Sequence, residues 1–156
     1  MKRMKAAVIY YSFEGNSEAA AKKAAELTGA ALFRISADHE PPKTKMKYLV
    51  GGKQALSGFR PKIRVPSVDY SQYDTIILAC PVWAGTMAPA MRSYLGRHPF
   101  SEKKVYLIVC SASGNGQKTL RNIAELLEGN MISGEYSLKN PLTHQEELEK
   151  LNALNG

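Results

Sequence analysis

The sequence has two cysteines, one tryptophan and three histidines in 156 residues, and no long hydrophobic run. Each scarcity removes a class of function. Cys80 and Cys110 cannot build a metal site by themselves, and each ends an apolar run where a small buried side chain is common, so both read as core residues. His39, His98 and His144 are scattered, with no cysteine or carboxylate cluster at ligand spacing, which predicts no metal. No apolar stretch approaches the roughly 20 residues of a membrane span, and Met1 to Lys5 is too short and too charged to open a signal peptide. The expectation is a cytoplasmic protein. Gly-x-x-x-x-Gly-Lys-Ser/Thr is also missing, which argues against a P-loop nucleotidase.

One further absence is local. Between Pro41 and Val68 there is no Asp or Glu, while Lys43, Lys45, Lys47, Lys53, Arg60, Lys62 and Arg64 all lie there. The chain carries a formal charge of +7, so this segment holds the whole excess. Such a run is commonly a solvated face; the sharper alternative is a docking patch for an acidic partner. Nucleic acid is disfavoured, since only Tyr48 and Phe59 interleave with the cations and no recognised motif is present.

What is present is the material of one globular domain spanning residues 1–156: 44% hydrophobic and 22% charged residues, in a length that buries roughly 70% of the unfolded surface. Ala6 to Tyr11, Thr75 to Cys80 and Val105 to Cys110 are almost wholly apolar, as strands covered on both faces must be. Leu32 to Ser36 and Ile132 to Leu138 are more mixed, which marks sheet edges. Helical patterns separate them: Asn16 to Thr28, a stretch within Lys45 to Ser57 weakened by Gly51 and Gly52, Pro89 to about Leu95, and an apolar face of Leu120, Ile123, Ala124 and Leu127. A last helix follows, with a capping box of Thr143 and Glu146 and then Leu148, Leu151 and Leu154. The alternation predicts an α/β fold: a doubly wound, five-stranded parallel sheet in strand order 2-1-3-4-5 with helices on both faces.

In that topology three loops meet at one sheet edge. The first, Ser12, Phe13, Glu14, Gly15, Asn16 and Ser17, turns a strand into a helix and leaves unpaired N–H groups and the helix dipole facing one concavity. It is either an ordinary turn or a phosphate socket. Glu14 would repel a phosphate, so its side chain is expected to face solvent while its backbone binds. The second loop, Pro81, Val82, Trp83, Ala84, Gly85, Thr86 and Met87, holds the only tryptophan. The third, Ser111, Ala112, Ser113, Gly114, Asn115 and Gly116, offers backbone groups with little side-chain bulk. A phosphate socket, an aromatic surface and a backbone-lined slot together suit a planar phosphorylated heterocycle such as FMN. Gly85, Gly114 and Gly116 would permit close approach to the ring, or are plain turn glycines.

Ser12 to Ser17, preceded by Val-Ile-Tyr-Tyr, resembles the Ser-x-Thr-Gly-Asn-Thr phosphate loop of the flavodoxin family, departing at Glu14 and Ser17. Pro81, Trp83 and Gly85 resemble that family's second loop, Ser111 to Gly116 its third, and Tyr48 to Pro61 has the look of its short members. The resemblance implies non-covalent FMN, with phosphate held by Ser12, Gly15, Asn16 and Ser17, Trp83 flanking the isoalloxazine, and the backbone near Gly85 at the flavin N5. It implies no acid–base catalyst. It leaves three roles open: electron carrier, FMN-dependent reductase of quinones or other small acceptors, and flavin-free interaction module. A carrier this basic calls for an acidic redox partner docking near residues 41–68.

Overall fold

A computed structural model describes residues 4–38, 40–43 and 47–155. Five parallel strands form the sheet: β1 (Ala6–Tyr10), β2 (Ala31–Arg34), β5 (Thr75–Trp83), β7 (Lys104–Ser111) and β8 (Met131–Lys139). Their order is β2-β1-β5-β7-β8, the expected 2-1-3-4-5. The short strands β3 (Ser36–Ala37), β4 (Ile63–Arg64) and β6 (Thr86–Met87) add antiparallel pairings, β3 with β4 and β6 with β5.

Alternation along the central strands sends side chains into two cores. Ala7, Ile9, Ile76, Leu78, Leu107 and Val109 share one core with Met91 and Tyr94 of α3 (Pro89–Arg97) and Leu120 and Ile123 of α4 (Gln117–Glu125). Val8, Tyr10, Ile77, Ala79 and Ile108 share the other with Ala20, Ala21 and Ala24 of α1 (Asn16–Thr28) and with Leu151 and Leu154. The run of alanines lets α1 lie close to the sheet. At its end Gly29, at φ +73°, donates its N–H to Ala25 O at 2.8 Å. Cys80 and Cys110 fall one in each core, and burial pushes both thiols up to about 12.

Three expectations need correction. The second strand ends at Arg34, not Ser36; Ser36 and Ala37 leave the sheet to pair with Arg64 and Ile63. The last helix, Gln145–Asn155, is 3-10. Its leucines repeat every three residues, so Leu148, Leu151 and Leu154 eclipse along one edge of a three-residue turn. Nor does a capping box form: Thr143 Oγ1 donates to Asn140 O at 3.3 Å and lies 3.1 Å from His144 Nδ1. The helix expected within Lys45 to Ser57 is α2 (Lys47–Leu56); Lys45 and His39 lie outside the described residues. Among the described residues no helix is long and apolar enough to cross a membrane.

Candidate functional site

The C-terminal ends of β1, β5 and β7 open into a cavity of about 370 Å³, the position where ligands sit in open parallel sheets. The first loop lines it through Ser12, Phe13, Glu14, Asn16 and Ser17, while Gly15 lies outside the lining. Gly15 takes φ +105°, a left-handed conformation that a side chain resists, and serves as the N-cap of α1. Having no side chain, it caps nothing, so the first-turn N–H groups of α1 are left without a side-chain acceptor. Ser12 Oγ accepts the Gly15 N–H at 3.1 Å, closing the turn and keeping its own proton for another acceptor. Ser17 is 1% exposed, and its buried Oγ has no partner within hydrogen-bond geometry, the polar group beside it being the weakly interacting Cys110 thiol. An orphaned hydroxyl at a dipole-positive helix start fits an anion.

The second loop is a hairpin. Val82 pairs with Met87 and Trp83 with Thr86, and the two linking residues, Ala84 and Gly85, have φ +51° and +76°. Two consecutive positive φ values describe the tight turn that suits strand twist, so Gly85 serves the turn and does not line the cavity. Trp83 lines it from the hairpin's end. Its ring packs edge-on against Tyr11 and Phe13, at centroid distances of 6.1 and 5.6 Å. Tyr11 is itself anchored, donating to Glu40 Oε2 at 2.7 Å; burial first, then that carboxylate, raise its phenol far above the ordinary range.

The third loop divides. Ser111 and Ala112 line the cavity, whereas Ser113, Gly114, Asn115 and Gly116 do not, and Gly114 and Gly116 pack against Lys139 and Ser137 of β8. Ser137 Oγ accepts from Gly116 N at 2.9 Å and donates to Gly114 O at 2.7 Å. A Cβ on Gly116 would stand 2.4 Å from Val109 Cγ2, so this glycine serves the close approach of α4 to the sheet. Gly114 and Gly116 are structural.

Two walls come from segments the motifs did not indicate. The turn after β8 supplies Asn140, Leu142 and Thr143, tied to the first loop where Leu142 N donates to Asn16 Oδ1 at 2.9 Å. Helix α2 supplies Lys47, Gly51 and Gly52. A Cβ on Gly51 would lie 3.3 Å from Pro41 Cγ and 3.4 Å from the Trp83 ring, and one on Gly52 3.6 Å from Ala84. The glycine pair weakens the helix intrinsically yet gives it a flat face against the hairpin. In the sequence Gly51 and Gly52 read as weak points of the helix and as part of the family-like stretch Tyr48 to Pro61; their contact with the Trp83 hairpin joins segments distant in the chain and leaves no local signal.

Charge around the loop also departs from expectation. Glu14 does not simply face water: its Oε2 meets Lys47 Nζ at 3.2 Å. Lys43 donates to Phe13 O at 3.3 Å and stands over the Phe13 ring at 5.1 Å. Arg34 ion-pairs with Glu18 and lies over the Tyr10 ring at 5.7 Å. The basic segment is therefore no single face. Lys43 and Lys47 serve the first loop, Arg64 pairs with Asp38, and Lys53, Arg60 and Lys62 are exposed. Among the described residues, no group of three or more His, Cys, Asp or Glu is placed to hold a metal ion.

The flavodoxin profile matches residues 5–151, which includes every wall of the cavity. The chain belongs to the flavodoxin family. Solved structures agree on the fold. A flavoprotein of Lactobacillus acidophilus NCFM in complex with FMN is 21% identical with a TM-score of 0.74, covering 92% of this chain and 97% of that one. A putative flavoprotein of Bacteroides uniformis is 18% identical at a TM-score of 0.79, covering 97% of both chains. A WrbA-like flavodoxin of Agrobacterium tumefaciens is 16% identical at a TM-score of 0.65, covering 97% and 93%. A search of curated proteins finds no match.

Proposed function

We propose that this flavodoxin-family protein binds FMN non-covalently in the cavity and acts in electron transfer. The observation that carries the reading is the uncapped start of α1, with the buried, unpartnered Ser17 hydroxyl beside it in the cavity lining. The N–H groups of the first loop, with the Ser12 and Ser17 hydroxyls, would hold the phosphate, and Trp83 would bound the ring system. FMN supplies reversible one- and two-electron chemistry when bound. The protein's part is to orient the cofactor, exclude water beside Trp83 and set local charge. Electrons would pass to an acidic partner reached through the exposed Lys53, Arg60 and Lys62.

A second reading, an FMN-dependent reductase of quinones or other small acceptors, is favoured by α2. Packed on the hairpin through Gly51 and Gly52, this helix makes a walled slot where a bare carrier needs only an exposed cofactor edge. Titration of the apoprotein with FMN, followed by visible absorption and Trp83 fluorescence, tests the shared core of both readings. Saturable quenching at one FMN per chain is expected. A folded protein that leaves FMN unbound would make a flavin-free interaction module the better description. Turnover of quinone by the loaded protein, against reduction of a protein acceptor, then separates reductase from carrier.

A further inference from the structure

The cavity lining contains one basic side chain and one acidic side chain among the described residues, and they are paired with each other. Lys47 opens α2 and Glu14 lies in the first loop, with Nζ and Oε2 at 3.2 Å. Their accessibility differs. The Glu14 side chain is 50% exposed and Lys47 only 23%. The carboxylate sits one residue before Gly15 at the N-cap position of α1, in the loop that lines the cavity through Ser12, Phe13, Asn16 and Ser17. An anion arriving there meets a negative charge already in place, and a cation already engaged by it.

We propose that Glu14 is a resident stand-in for the ligand's phosphate, and that binding proceeds by ion-pair exchange. The phosphate monoester takes over the Lys47 ammonium, and the Glu14 carboxylate turns out into water. The inference rests on the reading of the cavity as an FMN site and assigns Lys47, thirty residues beyond the loop motif, as a phosphate-recognising residue. Three considerations favour this direction of exchange. A phosphate monoester carries about −1.5 to −2 charges at neutral pH against −1 for a carboxylate, so it is the stronger partner for one ammonium. Glu14, half exposed, regains hydration when released, whereas Lys47 is held on a helix and stays at the cavity wall. Displacement also removes the like-charge contact that would otherwise oppose phosphate at this loop. The exchange makes the site selective: a ligand without a phosphate leaves the Lys47–Glu14 pair intact and gains nothing from Lys47.

Calorimetric titration of the apoprotein with FMN, riboflavin and inorganic phosphate tests this, on wild type, Lys47→Met, Glu14→Gln, the double variant and Lys104→Met. The last removes an equal charge at the opposite end of the sheet. Lys47→Met is expected to weaken FMN about tenfold, the scale of one charge-assisted contact, and to leave riboflavin unchanged. Glu14→Gln is expected to tighten FMN and inorganic phosphate about threefold, the worth of a partly exposed ion pair, and again to spare riboflavin. In the double variant the gain from Glu14→Gln should fall well below that in wild type, because most of it acts through Lys47. Lys47→Arg should restore most of the FMN affinity. Wild type that binds FMN, with Glu14→Gln weakening it or with Lys47→Met no worse than Lys104→Met, overturns the exchange while leaving the FMN site standing. Wild type that binds neither FMN nor phosphate overturns both.

Discussion

Two loops of this protein share a Ser-x-x-Gly-Asn pattern and meet opposite ends. Ser12 to Ser17 reads Ser-Phe-Glu-Gly-Asn-Ser, and Ser111 to Gly116 reads Ser-Ala-Ser-Gly-Asn-Gly. Each leaves a central parallel strand and enters a helix. In each the leading serine accepts the N–H of a glycine three residues on, at 3.1 Å for Ser12 and 2.9 Å for Ser111, and that glycine has positive φ, +105° and +77°. From there they diverge. Each helix start keeps one buried hydroxyl without a partner, Ser17 in α1 and Thr119 in α4, but only Ser17 lines the cavity, while the second loop has its polar backbone claimed by Ser137 and its last glycine pressed on Val109. A shared motif closes the same serine–glycine hydrogen bond in both loops; what surrounds the turn decides whether it lines a cavity.

The sharpest way to break the comparison is to add a methyl group to each. Gly116→Ala forces a Cβ to within 2.4 Å of Val109 Cγ2 and 2.9 Å of Ser137 Oγ, in a packed layer that cannot yield. Urea unfolding should show a loss of about 3 kcal/mol, typical of an overpacked core. The Cβ of Gly15→Ala meets only the end of the exposed Leu142 side chain at 3.2 Å, so its cost is mainly the positive φ, about 1 to 2 kcal/mol. A smaller loss at Gly116 than at Gly15 would mean that the second loop is the less constrained of the two.

Deleting the hydroxyl in each loop's surroundings should separate stability from binding. Ser137→Ala strands the part-buried Gly116 N–H and Gly114 carbonyl and should cost about 1 kcal/mol, with FMN affinity unchanged. Ser17→Ala removes a hydroxyl that has no partner, so stability should hold within about 0.5 kcal/mol while FMN binding weakens several-fold. Equal effects on both readouts would erase the distinction.

The smallest effect concerns the thiol between the loops. Cys110 ends the apolar part of β7, lines the cavity and stands beside Ser17. Burial raises its thiol to about 12, as it does that of Cys80. In the unfolded chain thiols ionise near 8.5. Between roughly 8.5 and 12 the folded state therefore holds more protons, and its stability falls as pH rises. Urea midpoints should be flat from pH 6 to 8 and decline above pH 9, less steeply in a Cys80→Ala, Cys110→Ala double variant.

The reach of the sequence follows the same division. The central strands were legible because a strand covered on both faces must be apolar throughout, and Ala6 to Tyr11, Thr75 to Cys80 and Val105 to Cys110 are. The turn at Ser12 to Ser17 was legible because glycine and short polar residues between an apolar strand and a helical pattern mark a strand-to-helix turn. The hairpin of Trp83 was readable but missed: Val-Trp, then Ala-Gly, then Thr-Met is a two-residue turn between short strands. The pairing of Ser36–Ala37 with Ile63–Arg64 was not readable, since two residues carry no periodicity and the partners are far apart in the chain.

Composition and pattern by themselves thus determined the layered α/β architecture, the strand order and the strand-to-helix turns, because burial on one or two faces leaves a period in the chain. Only the tertiary structure decided which turn faces a cavity, that Lys47 and Gly51 on α2 and Leu142 after β8 wall it, and that Glu14 is engaged by a lysine. Those facts depend on which distant segments come to rest beside a loop, and contact between distant segments leaves no local period to read.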